Sequence, residues 1–460
     1  MFATVVRVVW LQRVDTQPVT DFQWYFLRAV SISQGHGYAV DGVPTAYWPV
    51  GYPGFLGLAF MVAGASVALG KALNTLLVLA CLVLTWRLGT VLFRSGAVGV
   101  LAALVLAVHP AYIAYSGILA SEPLYTVLTL GGTLTLLSLP LMVKGSKSSE
   151  VGTDTGRKGK KTVFSPFVKA SVAAGLLFGF ATLVRPQALL FPLFVVACGR
   201  LTDVPNTFRG RVLPVLAWGA LGMCVFLLPW TARNWAVFGT PAFVSTNGGD
   251  NLLIGNSPRA NGLYQNPDSL GYDFSGLNEA ERDKRASRIA LGYARQNPDV
   301  VMGLWPAKLQ GTFLNATDSA YWAFQKEQGR LTSPGLGADK QEYLGFREYS
   351  RVFVPWLLGL AGLGALVGLL ARRLPLTGLA LVATTALVTC VFFGNPRFSF
   401  PIVPFLALQA VAGPVLVVKE FLHLVRKLGR AGAAGSPPPT PSSSSGHEPS
   451  PSDEEGASEP

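Results

Sequence analysis

Two carboxylates and three guanidinium groups stand at the ends of long apolar runs in this 460-residue sequence. Asp21 lies in Thr20-Asp21-Phe22-Gln23-Trp24-Tyr25, ahead of an amphipathic run near 20–33. Glu122 lies in Ala120-Ser121-Glu122-Pro123-Leu124-Tyr125. Arg185 precedes Pro186, Arg233 sits in Pro229-Trp230-Thr231-Ala232-Arg233-Asn234-Trp235, and Arg397 in Gly394-Asn395-Pro396-Arg397-Phe398. Ionised side chains beside membrane spans are costly, so these five are the first candidates for function. A carboxylate can act as general base toward an acceptor hydroxyl. Guanidinium groups hold a phosphate in a planar fork and stabilise the charge that grows on it as it leaves. Together these are the parts for displacing a lipid phosphate from an anomeric carbon. Each also has a plainer reading. Asp21 and Glu122-Pro123 suit helix N-termini, and the arginines suit interfacial anchors.

The elements that position them are expected to be membrane helices. Half of the residues are apolar, only 13% are charged, and mean hydropathy is +0.41. A soluble domain carries about a quarter charged residues. The apolar residues come in blocks of spanning length, at about 70–92, 96–115, 118–143, 168–184, 187–199, 212–230, 352–371, 374–393 and 399–418. The first 13 residues are apolar but short of a span, so the sequence is expected to start inside its first transmembrane helix. Residues 54–68 read as an interfacial helix. With that first partial helix the expectation is an all-α polytopic bundle of about 10 spans.

Charge sets the orientation. Arg87 and Arg94, the basic loop 144–166, Arg200 with Arg209 and Arg211, Arg372 with Arg373, and Lys419 with Arg426 fall on alternate loops. Such clusters mark the cytoplasmic side, which accounts for the +12 net charge without nucleic acid. The opposite side then receives a first outer loop at 14–69, the turns that carry Glu122, Arg185 and Arg397, and a segment at 231–351. Helical stretches are expected there near 277–296 and 298–315, while Asn247-Gly248-Gly249-Asp250-Asn251 reads as a turn. The Pro- and Ser-rich tail 431–460 reads as disordered and cytoplasmic. Cys81, Cys198, Cys224 and Cys390 lie in apolar blocks with no CxxC, so they read as core thiols. His109-Pro110 lies within an apolar run and reads as a core histidine.

At these residues the sequence resembles the GT-C glycosyltransferases of the protein O-mannosyltransferase and aminoarabinose-transferase type, which use polyprenyl-phosphate sugars. The resemblance runs from about residue 7 to 416, apart from the 144–166 loop. Asp21 with Tyr25, then Gly35-His36-Gly37-Tyr38 and Pro49-Val50-Gly51-Tyr52-Pro53, resemble the family's first outer loop. Ser121-Glu122-Pro123 resembles its second acidic site. Leu183-Val184-Arg185-Pro186, Pro229-Trp230-Thr231-Ala232-Arg233-Asn234, the stretch from Ser245 to Asn256, and the stretch from Arg397 to Pro404 follow in family order. The resemblance implies a GT-C-like bundle over 1–430 with an outer-face cavity. Asp21 would be the base or the group that orients the acceptor, with Glu122 opposite it. Displacement would invert the anomeric carbon. The chain departs from the mannosyltransferase pattern where Phe22, not a second acid, follows Asp21. That argues against a paired-carboxylate metal site, although a divalent cation stays open. Tyr47-Trp48-Pro49 replaces the Glu-Lys-Pro of aminoarabinose transferases, which favours a neutral hexose or uronic acid donor.

The expected site therefore has Asp21 and Glu122 as catalytic carboxylates and Arg185, Arg233 and Arg397 on the donor phosphate. Tyr25, Tyr52, Asn247, Asn251 and Asn256 are expected to line the substrate. The partners would be a polyprenyl-phosphate-linked sugar, membrane lipids, and a lipid, glycan or protein acceptor. The localisation expected is a bacterial cell (inner) membrane with the site extracytoplasmic. A transporter or flippase of a lipid-linked sugar is the rival. It would carry ionisable groups and broken helices at mid-membrane.

Overall fold

The computed structural model describes residues 1–148, 166–198, 212–325, 340–371 and 375–434. Most of the basic loop 144–166, the arginines at 200, 209, 211, 372 and 373, and the tail from 435 onward lie outside those residues. The chain divides into two units, Met1–Val415 and Leu416–Pro460. In the second, the described residues run as helix to Ala434, so residues 431–434 of the expected disordered tail are helical.

The described elements are helical apart from one hairpin. They begin with α1 Phe2–Arg13, α2 Thr20–Ser33, β1 Ala39–Val40, β2 Val43–Pro44, α3 Gly51–Ala63, α4 Val67–Phe93 and α5 Gly96–Val108. α6 Pro110–Ala114, α7 Glu122–Ser148, α8 Pro166–Val184, α9 Phe191–Cys198 and α10 Val212–Phe238 follow. The segment after α10 holds α11 Gly248–Gly255, α12 Glu279–Gln296, α13 Pro298–Gly303, α14 Trp305–Phe313 and α15 Asp318–Phe324. α16 Lys340–Leu370, α17 Leu376–Val391 and α18 Val403–Ala434 complete the chain, with 3-10 turns at Pro186–Leu190 and Pro396–Ile402. The strands pair antiparallel, Ala39 with Pro44 and Val40 with Val43. Asp41 and Gly42 both take positive φ between them, as a tight right-twisted hairpin requires.

Among the described residues, five helices are long and apolar enough to cross a membrane: Val67–Phe93, Pro166–Val184, Val212–Phe238, Lys340–Leu370 and Pro396–Lys419. Their outer faces expose apolar side chains, such as Leu221, Val225 and Leu228 on α10 and Trp356, Leu360 and Leu363 on α16. That surface suits lipid. Four further apolar helices are shorter, Gly51–Ala63, Gly96–Val108, Pro186–Ala197 and Leu376–Val391. The expected count of about 10 spans is thus not reproduced. Proline interrupts one of the runs. In 96–115, Pro110 lacks an amide and forces His109 to ψ 127, so α5 stops at Val108.

This break is built into the packing. His109 stays a buried core residue, and its Nδ1 accepts from the Ala111 amide at 3.2 Å. The fully buried Arg7 donates to the carbonyls of Leu106 at 3.3 Å, Ala107 at 2.5 Å and Tyr112 at 3.3 Å. A single guanidinium from α1 therefore satisfies carbonyls that the interrupted helix would leave bare. Tyr112 in turn stacks on Phe400 at 4.3 Å and donates to the Phe400 carbonyl at 3.1 Å. The turn Pro396–Ile402, which carries Arg397, is anchored in this way.

α8 and α10 cross closely. Gly175 and Gly179 on α8 face α10 in a Gly-x-x-x-Gly pattern. A Cβ on Gly179 would lie 2.7 Å from Met223 Cα, and one on Gly175 would strike the Gly219 carbonyl oxygen. Close backbone approach of this kind is what small residues permit between membrane helices. A Gly175→Leu substitution is expected to force α8 from α10 and cost about 1–3 kcal/mol or more. A lowered midpoint in heat-challenge size-exclusion chromatography of the detergent-solubilised protein would register it; an unchanged midpoint would refute the crossing.

Candidate active site

Proline places most of the site's charges. Pro186 drives Arg185 into extended backbone at φ −149, which ends α8 at Val184 and turns the guanidinium sideways. Asn395 accepts the Arg397 amide on its Oδ1 at 3.0 Å and opens the 3-10 turn. Glu122 starts α7 one residue before Pro123. Asp21 occupies the first turn of α2, but the N-cap is Val19, so the capping role considered for Asp21 does not hold. Thr20 beside it has φ 51, a strained conformation for a β-branched residue.

These residues meet. Arg397 Nη1 donates to Asp21 Oδ2 at 2.6 Å, and its Nε donates to Glu122 Oε1. Arg185 Nη2 reaches the same Glu122 oxygen at 2.5 Å, and its Nε donates to Ser121 Oγ at 3.2 Å. Glu122 is 0% exposed and Arg397 11%, so both pairs are largely desolvated. The Arg397 guanidinium also lies 4.7 Å above the Phe22 ring centroid. Phe22 replaces a second acid after Asp21 and supplies a cation-holding face instead. A divalent cation would have to displace a guanidinium to reach the bonded oxygen of either carboxylate. Among the described residues no three His, Cys, Asp or Glu side chains group as metal ligands.

Arg233 does not join this cluster. Its Nη1 donates to the Thr45 carbonyl at 2.9 Å and to Asn234 Oδ1 at 3.0 Å, and its Nη2 to the Tyr38 carbonyl at 3.1 Å. It holds the 38–45 hairpin against α10, with its guanidinium 5.0 Å from the Trp230 ring. Tyr52 is fully buried and donates to Asn74 Oδ1 at 2.9 Å. Asn74 passes the bond to the Ile118 carbonyl at 2.6 Å, so Tyr52 ties α3 to the chain just before Glu122. Asn247 caps α11 and accepts from Ser245 Oγ at 2.8 Å. Asn256 donates to the Leu252 and Val391 carbonyls at 2.9 and 2.8 Å and accepts from buried Lys308. The side chains of Arg233, Tyr52 and Asn256 are thus spent on packing, and that of Asn247 on a local bond. Asn251 is half-buried on α11. Tyr25 is buried beside the cluster, edge-on to Tyr52 at 5.5 Å, and burial and then Asp21 push its hydroxyl up.

The stretch expected as a turn at 247–251 opens α11 instead. Asp283 of α12 accepts the Gly249 amide on its Oδ1 at 2.6 Å, which supplies the missing cap. Asp250 is buried between Tyr47 Oη at 2.8 Å and Arg282 Nε at 3.1 Å. Glu279 takes Thr45 Oγ1 at 2.5 Å, the Ala46 amide at 2.8 Å and Thr246 Oγ1 at 3.0 Å. These carboxylates join residues 45–47 to α11 and α12.

One functional candidate escaped the sequence reading. Asp318 opens α15 and accepts from Trp322 Nε1 at 3.1 Å. The Trp322 ring meets Phe22 edge-on at 5.4 Å, which brings Asp318 to the same cluster. It lines a cavity of about 60 Å³ with Arg397, Thr312, Asn315 and Ser399. Burial pushes the Asp318 carboxyl up to about 6; Arg397 and Trp322 pull against it, and Glu122 and Asp21 add to it. Asp318-Ser319-Ala320 looks like an ordinary helix start, so no local signal marked it.

With two acids and two arginines joined at helix ends, comparison with solved structures becomes informative. The apo oligosaccharyltransferase of Archaeoglobus fulgidus is similar over 94% of this chain, with TM-score 0.51 and 16% identity. The same enzyme tethered to an acceptor peptide containing the NVT sequon is similar over 90%, with TM-score 0.50 and 14% identity. The archaeal oligosaccharyltransferase AglB from Archaeoglobus fulgidus, in complex with an inhibitory peptide and a dolichol-phosphate, is similar over 93%, with TM-score 0.48 and 16% identity. The first two structures share their fold, a GT-C glycosyltransferase fold in that enzyme, with this chain. This chain spans about half the length of those enzymes, 51%, 47% and 51% respectively. No protein-family model and no curated protein sequence matches it.

Proposed function

We propose that this chain is a membrane glycosyltransferase that moves a sugar from a polyprenyl-phosphate carrier to a lipid, glycan or protein acceptor, with inversion at the anomeric carbon. One observation carries the reading: Arg397 bridges Asp21 and Glu122 while Arg185 holds Glu122 from the other side. Carboxylates and guanidiniums so joined offer the two functions a glycosyl displacement needs, handling of the acceptor hydroxyl and stabilisation of a leaving phosphate. The shared fold with an oligosaccharyltransferase adds support.

In this reading the phosphate lies against Arg397 and Arg185, and Asp21 takes the acceptor proton or orients the hydroxyl. Arg233 acts through the hairpin it holds rather than on the phosphate. Tyr264, half-exposed, pairs with Phe393 at 5.5 Å, and its hydroxyl is pushed up by burial and then by Asp21. Its ring is a platform for a sugar face near the carboxylates. A neutral hexose or a uronic acid fits the donor. The site faces away from the cytoplasm of a bacterial cell, because Arg87 and Arg94 lie at the end of α4 remote from Asn74 and Glu122. About 13 and 20 residues of helix, roughly 20 and 30 Å, separate Asn74 from Arg87 and Arg94.

The test uses purified protein in liposomes with a radiolabelled polyprenyl-phosphate hexose and membrane lipid or protein acceptors. Label is expected on an acceptor. Label that crosses the bilayer without being transferred would favour the flippase and remove the enzyme reading.

A further inference from the structure

Three carboxylates surround Arg397, and they are not equivalent. Asp21 and Glu122 each accept a hydrogen bond from it, so each has an oxygen committed to a guanidinium. Among the described residues Asp318 accepts from Trp322 Nε1 alone, on Oδ1, and no Lys or Arg pairs with it. Its carboxyl lies in the wall of the Arg397 cavity, and among the described residues no hydrogen bond occupies Oδ2. A cavity of about 60 Å³ is several times the roughly 10–15 Å³ that one water occupies on that measure. It has room for a reacting hydroxyl or for water that carries a proton away.

We propose that Asp318 is the general base of the transfer, the group whose free oxygen takes the proton of the acceptor hydroxyl, while Asp21 orients that hydroxyl. The proposal rests on the glycosyltransferase reading and divides a role that the reading left to Asp21 alone. The acceptor oxygen forms its bond to the anomeric carbon. The bond from that carbon to the phosphate oxygen breaks, and its electron pair stays on the phosphate beside Arg397. The hydroxyl proton passes to Asp318, which becomes a neutral acid and releases it to water. A carboxylate already bonded to a guanidinium is a weaker proton acceptor than one that is not. A base also works best when it titrates near the operating pH. Burial places Asp318 in that range, at about 6.

The charged groups that face it are Arg397 from the 396–402 turn, Glu122 from α7 and Asp21 from α2. Tyr115 and His109 share its cavity wall. Tyr321 lies on its own helix, with Tyr343 of α16 coupled to that phenol. Burial sets the direction and these three are the charges that modulate it, because the tyrosines stay neutral near pH 6 and His109 Nδ1 already accepts an amide. The base must be ionised to act, so kcat should rise as pH climbs through about 6.

The experiment is the liposome transfer assay from pH 4.5 to 8.5. The wild type is expected to show an acid limb near pH 6. Asp318→Asn is expected to lower kcat by about 10²–10⁴-fold and to erase that limb. Trp322→Phe keeps the carboxylate and removes its one donor, so the limb should move to higher pH with transfer retained at alkaline pH. This second variant decides the matter if Asp318→Asn does not fold. Wild-type transfer together with an unshifted limb in both variants would overturn the proposal alone. Absence of transfer by the wild type would overturn the glycosyltransferase reading and this inference with it.

Discussion

Replacing Arg397 with alanine is expected to abolish measurable transfer and to destabilise the protein by about 3–5 kcal/mol, the cost of leaving a buried charge without its partner. Two charges lose their partner in one step. Glu122, 0% exposed, keeps Arg185 as its one basic partner among the described residues, and Asp21, 13% exposed, keeps the Thr20 hydroxyl at 3.1 Å. The activity loss has a separate origin, the missing fork where a leaving phosphate gathers charge, on the order of 10²–10³-fold for one such donor. Arg397→Lys separates the two effects. Lysine restores one positive charge but cannot donate to both carboxylates in a planar fork. The thermal midpoint should recover in part and the rate should not. Wild-type transfer by Arg397→Ala would remove the site from this part of the molecule. Loss of stability with normal kcat in the surviving protein would make Arg397 a structural clamp.

The legible part of the site was the part punctuated by proline. Glu122-Pro123, Arg185-Pro186 and Pro396-Arg397 each put a charged side chain at a helix end, where it can leave the helix axis and meet others. Hydropathy with charge alternation then placed those ends together, and the structure joins all three with Asp21. Arg233 had the same signature, near Pro229, but α10 runs through Pro229 to Phe238. Its guanidinium is therefore held along a helix beside the hairpin, where two backbone carbonyls take it. Composition does not distinguish those outcomes, because what matters is which carbonyls lie within reach. One expected span is divided for a related reason. Mean hydropathy measures apolar length, whereas His109-Pro110 divides that length and Arg7 makes the division affordable by bonding the freed carbonyls. Asp318 was illegible because its significance comes from partners remote in sequence, Phe22 and Arg397.

Asp21→Asn is the second large effect, and its size follows from what asparagine keeps. The side chain stays nearly isosteric, and its carbonyl oxygen still accepts from Arg397 at the position of Oδ2. Arg397 retains a full charge pair with Glu122, so the fold should lose little. The lost property is negative charge facing the acceptor. Transfer should fall by about 10²–10⁴-fold with the thermal midpoint near that of the wild type. The expected contrast with Asp318→Asn lies in the pH profile. Asp21→Asn should lower the rate at every pH while the acid limb persists, since the titrating carboxylate is still present. Combining Asp21→Asn with Arg397→Lys should cost less than the two single losses added together, because bonded partners act as one unit. Strict additivity in that cycle would mean that the two residues serve transfer independently, and normal transfer by Asp21→Asn would mean that the first outer loop contributes no chemistry.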